Sequence, residues 1–359
     1  MSKPSRNPEP LGRIVRDADP PNLEMPFESL QDVVTPTDSF YVRCHFPVPQ
    51  IEARDWSLKI EGLVEKRLEF SYSELEAMER TSISATLECA GNSRNSLQPK
   101  VKGVPWSLGA VGNGEWTGVR LATLLERAGL KPGANEVILE GADEGEVKEP
   151  PRPAGKIRFA RSIPLRKALD DVLLVHRMNG EPLLPAHGYP LRAIVPGWYA
   201  VASVKWLEKI IVTDRPFHGY YQTIDYAYWD RSGEHPELVP ITEMQVKAEI
   251  SQPRDGEVVA ADSTVRIHGA AWSGEAEIAK VEVSTDEGAT WNEAALLGKS
   301  VGNAWRLWEY QWKTPASACR QILLARATDS RGRVQPGERN LDRGTYIINH
   351  LLPVAVELR

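Results

Sequence analysis

The chain of 359 residues is 42% hydrophobic and 26% charged, an ordinary composition for a folded protein, and its length predicts two domains, each with its own core. A formal net charge of −6 with both signs interspersed excludes a nucleic-acid footprint and a basic membrane-binding face, although a small anion site needs only a few convergent cations. Three widely spaced cysteines (Cys44, Cys89, Cys319) without a CxxC pair argue against a disulfide framework or a zinc site and for a reducing compartment.

Residues 1–30 read as an extended N-terminal segment. The first 26 residues are polar and proline-rich, without the apolar core of a secretory signal. No run approaches the ~18 apolar residues of a transmembrane helix. The expected location is therefore cytoplasmic, or periplasmic if a signal was cleaved before residue 1.

Residues 31–238 mix helix and strand signals. Ser71-Tyr-Ser-Glu-Leu-Glu-Ala-Met predicts a short capped helix, with serines ahead of acidic first-turn residues. Leu121 to Leu130 has helical spacing with Gly129 near its end, and Pro164-Leu-Arg-Lys-Ala-Leu-Asp predicts another short helix. Strands are expected over residues 136–140 and 201–212. Long Pro/Gly-rich connections suit loops that build a pocket.

From about residue 239 to 359 the pattern is β. Short alternating runs at residues 245–250, 264–269, 280–284 and 322–327 are separated by turn signals such as Asp255-Gly256, Glu287-Gly288 and Arg331-Gly332. This predicts a sandwich of about seven strands. Five tryptophans in this half (Trp272, Trp291, Trp305, Trp308, Trp312) read as core and interface packing. The boundary is expected in the polar stretch Glu234-His-Pro-Glu-Leu-Val-Pro240. The expected fold class is thus α+β.

Chemistry concentrates in three places. Ala85-Thr-Leu-Glu-Cys-Ala-Gly-Asn-Ser-Arg94 offers a thiol flanked by small residues, an amide, and a guanidinium five residues on. A soft thiolate suits a redox-active metal, and a guanidinium suits a bidentate oxyanion. Ala186-His187-Gly-Tyr-Pro-Leu-Arg192 and Ser203-Val204-Lys205 place several donors among apolar and glycine positions, a surface fit for a phosphorylated heterocycle. The third is Tyr41-Val42-Arg43-Cys44-His45, ahead of a proline-rigidified loop.

The cysteine segment resembles the molybdenum-binding segment of the sulfite oxidase family, and the resemblance runs from about residue 30 to about residue 348. It implies a mixed α/β molybdopterin domain followed by an immunoglobulin-like dimerisation domain, the latter carried by Gly269-Ala-Ala-Trp-Ser-Gly274, residues 281–291 and Arg326-Ala-Thr-Asp-Ser330. By resemblance, Cys89 is the molybdenum ligand. Tyr41, Val42, Arg43, Cys44, His45, Asp143, His187, Arg192, Ser203, Val204 and Lys205 would hold the molybdopterin. Cys44 stands where the family usually has Asn. Arg43, Arg94 and Arg343 would clamp the anion, with Trp106 and Tyr226 shaping the pocket. Tyr220, Tyr221 and Tyr228 compete with Tyr226, and Asp342 looks inserted beside Arg343.

The implied reaction is molybdenum-dependent oxidation of sulfite, or a related small oxyanion, to sulfate. Electrons would pass to an external acceptor such as a cytochrome, from a homodimer with no haem or flavin in this chain. The alternatives are a nitrate reductase-like molybdoenzyme and a redox-silent binding protein on the same scaffold.

Overall fold

The computed structural model describes residues 12–359. Strands hold 41% of the residues and helices 12%, which moves the α+β expectation toward β. The predicted helices are present but short: Tyr72–Ala77, Leu121–Ala128 and Leu165–Asp170. Ser71 caps the first through a reciprocal box with Glu74, and Gly129, at φ +69°, ends the second. Leu121, Leu124, Leu125 and Ala128 bury one face of that helix, the 3.6-residue stripe that holds it to the sheet.

The N-terminal half carries two five-stranded sheets. One follows the order Leu68–Ser71, Ser57–Gly62, Leu207–Thr213, Glu136–Glu146, Lys156–Pro164, with the second and third strands parallel. The other is built on Leu173–Met178, Val111–Arg120 and Thr81–Glu88. Within the segment read as extended, Ile14–Ala18 and Pro21–Glu24 form a three-stranded sheet with Val42–Arg43. Residues 1–11 of that segment lie outside the described residues.

One strand expectation needs correction. Residues 201–212 are not a continuous strand: Ala200–Ala202 is a 3-10 turn and the strand begins at Leu207. The break sits at Trp206, whose backbone is left-handed (φ +50°) and whose indole N–H donates to the Pro185 carbonyl at 2.8 Å. A tryptophan is held in that strained region only when its surroundings over-determine it. Here the kink takes Val204 and Lys205 out of the sheet.

The C-terminal half contains a four-stranded and a five-stranded sheet that share one apolar core, with Ile267, Trp308 and Trp312 from the first packed with Val281, Leu323 and Val356 from the second. Nine strands replace the seven expected; the additional pair, Asn292–Glu293 and Ala295–Leu296, is two residues each. Trp272 and Trp305 instead join the core of the N-terminal half, their rings 6.4 Å apart, so the two halves share buried aromatic surface. The polar stretch expected as the boundary is itself structured, Glu237–Pro240 pairing with Ala227–Asp230. Among the described residues no helix is long and apolar enough to cross a membrane.

Candidate active site

A cleft of about 660 Å3, its open mouth included, lies where the ends of these sheets converge. Tyr41, Val42, Arg43, His45, Cys89, Asp143, His187, Arg192, Ser203, Val204, Lys205 and Tyr226 all line it. Residues scattered over nearly two hundred positions of sequence therefore meet at one place.

Each arrives by a local device. Cys89 follows the last residue of the Thr81–Glu88 strand; its N–H donates to the Ala110 carbonyl at 2.9 Å, and the Asn92 N–H closes a turn onto its carbonyl at 2.8 Å. Asp143 sits where the Glu136–Glu146 strand shifts register, a bulge that re-aims a side chain. His187 ends the 3-10 turn Pro185–His187, and Gly188 follows at φ +104°. A Cβ on Gly188 would stand 3.0 Å from the Lys205 Cβ and 3.1 Å from that of Arg192, so the close approach of those basic residues needs glycine there.

The lining is cationic and buried. Lys205 Nζ donates to the Ala186 carbonyl at 2.9 Å and to Cys44 Sγ at 3.3 Å, and lies 4.1 Å from the centre of the Trp206 ring. Burial lowers the Lys205 ammonium below its ordinary range. Arg192 donates to the carbonyls of His187 (3.0 Å) and Ser203 (3.1 Å), while its Nε is buried without a partner. Burial brings the Arg192 guanidinium down to about 10. His187 and His45 are pushed well below 6.5, first by burial and then by neighbouring cations, so both rings are neutral at pH 7.

Burial lifts the Asp143 carboxyl to about 6, against the pull of neighbouring Lys205, and its Oδ1 has no partner. Burial also pushes the Cys89 thiol up, against the pull of Arg94 and Arg43. His45 Nε2 and the Tyr226 hydroxyl are 2.7 Å apart. Tyr226 has φ +52°, and its ring stacks on Tyr346 at 4.8 Å.

Four predicted residues do not line the cleft. Arg94 is folded back: its Nε donates to the Thr345 carbonyl (3.1 Å) and hydroxyl (2.7 Å), and its Nη1 to the Val104 carbonyl (2.8 Å). A Cβ on Gly91 would collide with that guanidinium at 2.0 Å. Trp106 is fully buried behind Cys89, packed with Tyr41 and Leu87, its indole N–H unpaired. Arg343 donates to Asn349 Oδ1 at 3.1 Å, while the neighbouring Asp342 pairs with Arg231. Cys44 is buried with its sulfur on Lys205 but is not a wall residue. Of the competing tyrosines, Tyr221 is also buried, 4.7 Å from the His45 ring, yet the hydrogen bond to His45 belongs to Tyr226.

Sequence reading missed several contributors. Asn22 Oδ1 accepts from the Cys44 N–H (3.1 Å) and Arg43 Nη1 (3.2 Å), fixing the loop from a segment read as extended. Phe159 stacks on His45 at 4.7 Å, and nothing in its strand marks it out. Trp206 was findable, since a tryptophan beside a buried lysine is a natural cation–π partner.

The donor set fits a molybdopterin. Unpaired Arg192 Nε, Lys205 and Arg43 suit a phosphate, unpaired Asp143 Oδ1 suits a heterocyclic amino group, and the Cys89 thiol suits a soft metal.

Residues 45–221 match the oxidoreductase molybdopterin binding domain family, and residues 239–342 match the Mo-co oxidoreductase dimerisation domain. Sulfite oxidase of Gallus gallus is 34% identical over 355 residues, covering 93% of this chain and 74% of that protein. Mitochondrial sulfite oxidase of Drosophila melanogaster is 35% identical over 88% of this chain; the chain spans 58% of that protein's length. The NADPH nitrate reductase of Emericella nidulans is 34% identical, with 88% of this chain and 41% of that protein covered. Among solved structures, the sulfane dehydrogenase SoxCD from Paracoccus pantotrophus shares the fold with a TM-score of 0.80 at 28% identity, over 99% of this chain and 86% of that one.

Proposed function

This chain belongs to the sulfite oxidase family of molybdopterin oxidoreductases, and from that premise we propose that it oxidises sulfite, or a closely related sulfur oxyanion, to the sulfate level. The observation that carries this reading is a buried thiol, Cys89, in a cleft that also gathers Arg43, Arg192 and Lys205. In balance, sulfite and water give sulfate, two protons and two electrons, the electrons leaving to an external acceptor. The molybdenum of a bound molybdopterin supplies the two-electron redox chemistry.

The protein's own residues bind and orient. Arg192, Lys205, His187 and Ser203 would hold the organic cofactor, with Asp143 accepting from its amino group. Cys89 would ligate the metal, and Arg43 would draw the anion toward it. Tyr226 orients through His45. If the neutral imidazole keeps its proton on Nε2, that N–H donates to the phenol oxygen and frees the Tyr226 O–H to donate to a substrate oxygen. Arg94, anchored on Thr345 and Val104 outside the cleft lining, would act as a fixed positive charge near the Cys89 sulfur. The C-terminal half is proposed as the immunoglobulin-like unit through which two chains pair.

Anaerobic stopped-flow mixing tests the reading. Sulfite is expected to bleach the oxidised molybdenum–sulfur absorption of the loaded protein in a single fast phase. No bleaching by sulfite, with nitrate instead reoxidising dithionite-reduced protein, would favour the nitrate reductase-like alternative that the fungal relative raises. A protein that binds no molybdenum would be the redox-silent scaffold.

Arg94→Gln removes a fixed charge rather than a substrate contact, so the sulfite KM is expected to rise about 2- to 10-fold, short of the ~1.5–3 kcal/mol of a direct charge-assisted hydrogen bond. Sulfate inhibition should weaken in parallel. A wild-type KM would make Arg94 a loop brace, a role its bonds to Thr345 and Val104 already describe.

Asp143 predicts a pH effect. Its buried carboxyl titrates at about 6, above the ordinary 3.8, so the folded cofactor-free protein holds this proton more tightly than the unfolded chain. The resulting stability is fully present below pH 3.8 and is lost as pH rises through 6. Asp143→Asn should therefore stabilise the cofactor-free protein at pH 7.5 by up to about 3 kcal/mol, and the gain should vanish near pH 4. Urea unfolding at both pH values measures it.

A further inference from the structure

Glu88, one residue before Cys89, does not line the cleft; it is 2% exposed and belongs to a buried charge cluster with Lys247 (0%) and Glu249 (3%). Lys247 Nζ donates to Glu88 Oε1 at 3.3 Å and to Ser93 Oγ at 2.8 Å, and lies 3.1 Å from Glu249 Oε1. Glu88 Oε1 also accepts from Asn92 Nδ2 at 3.2 Å, and its Oε2 from the Trp272 indole at 2.9 Å. Asn92 Oδ1 in turn accepts from the Ala110 N–H at 3.0 Å. One ammonium therefore grips the residue that enters turn 89–92 and the residue that leaves it. Ser93 is left-handed at φ +67°, a backbone state that needs such external support.

Lys247 lies in the Lys247–Gln252 strand of the C-terminal half, 154 residues from Ser93. Burying one cation and two carboxylates costs desolvation that apolar residues of the same volume would avoid, so stability alone gives no reason for the cluster. Its placement does: both flanks of the Cys89 turn are tied to it, while the cleft side of the turn carries only the sulfur and small neighbours.

We propose that Lys247, with Glu88 and Glu249, is a positioning residue of the active site: from the C-terminal half it fixes turn 89–92 and so the direction in which the Cys89 sulfur faces the metal. The inference rests on Cys89 being the metal ligand. Lys247 touches neither substrate nor cofactor. It acts through the turn, in the way that outer partners orient the ligands of a metal site.

The test uses the full chain in two variants. Glu88→Gln/Lys247→Met/Glu249→Gln removes all three charges with little change of volume, and Ser93→Ala cuts one link at small structural risk. Iodoacetamide labelling of Cys89 in the cofactor-free protein, read by peptide mass with Cys319 as internal reference, reports the turn without any metal. The electron paramagnetic resonance g-values of the dithionite-reduced, molybdenum-loaded protein report the orientation of the sulfur.

The triple variant is expected to keep its circular dichroism and molybdenum content. Its Cys89 should label at least about 10-fold faster, its g-values should shift, and kcat should fall about 10-fold with KM nearly unchanged. Ser93→Ala should move the same readouts in the same direction by a smaller factor, and it decides the matter if the triple variant does not fold. Wild-type labelling and wild-type g-values in a folded variant would overturn the proposal and leave the cluster as a tie between the two halves. Failure of the ligand assignment shows separately, as a Cys89→Ser protein with the wild-type molybdenum spectrum.

Discussion

Cys89→Ser is expected to lower kcat by at least about 10^3-fold, some 4 kcal/mol of transition-state stabilisation, while leaving the fold in place. A serine hydroxyl is smaller than the thiol and is a hard, weakly acidic ligand, so it cannot supply the soft anionic donor that a redox-active metal of this kind takes. Cys89 follows a strand and is held by backbone bonds to Ala110 and Asn92, none of which uses the sulfur. The substitution should therefore leave the thermal midpoint within a few degrees of wild type. Cofactor retention should also persist, because Arg192, Lys205 and His187, which line the same cleft, are untouched. Steady-state turnover, with molybdenum content measured on the same sample, checks both halves of this expectation. Near wild-type turnover with an unchanged metal spectrum would remove Cys89 from the ligand set.

The largest expected loss of stability comes from Arg161→Met. Arg161 is fully buried in the Lys156–Pro164 strand, and its guanidinium donates to the Tyr221 carbonyl and, at 2.6 Å, to the Ile241 carbonyl. Burial brings it down to about 10, which still leaves it charged at neutral pH. Those two carbonyls bracket the segment that carries Tyr226, and the Ile241 N–H donates back to the Tyr226 carbonyl at 2.9 Å. Methionine fills most of the volume but leaves two buried acceptors without donors, a cost of about 3–5 kcal/mol. The thermal midpoint should fall on the order of 10 °C. Tyr226 should also loosen against His45, so the substrate KM is expected to rise in the surviving folded protein. An unchanged midpoint would show that water or neighbouring N–H groups replace the guanidinium at no cost.

Much of the site was readable because its chemistry is local in sequence. A thiol between small residues, and His187, Arg192 and Lys205 spaced among glycine and apolar positions, offer suitable donors by residue type, the resemblance to the sulfite oxidase family joins them into one site, and the cleft does collect them. The capped helices were readable for the same reason, since Ser71 with Glu74 and the terminal Gly129 act within one turn of chain. The β character of the last third was likewise set by alternation at period two, down to the Trp308 and Trp312 side chains that fill its core.

What depended on contacts between distant segments was not readable. The strand expected over 201–212 satisfies every local pattern, yet Trp206 breaks it because its indole reaches the Pro185 carbonyl 21 residues away. Arg94 carries the spacing of an anion clamp, but its guanidinium turns back onto Thr345, 251 residues on, through space that Gly91 leaves open. Trp272 and Trp305 look like core residues of the C-terminal half and instead complete the core of the N-terminal one. Lys247 and Glu249 read in sequence as charged residues of a strand's polar face, and the fold buries both beside Glu88. Residue type and short-range spacing determined which groups this protein can use and which helices and strands it forms. The tertiary structure decided which of those groups face the cleft, because burial, backbone kinks and long-range hydrogen bonds are energies of position that no single stretch of chain contains.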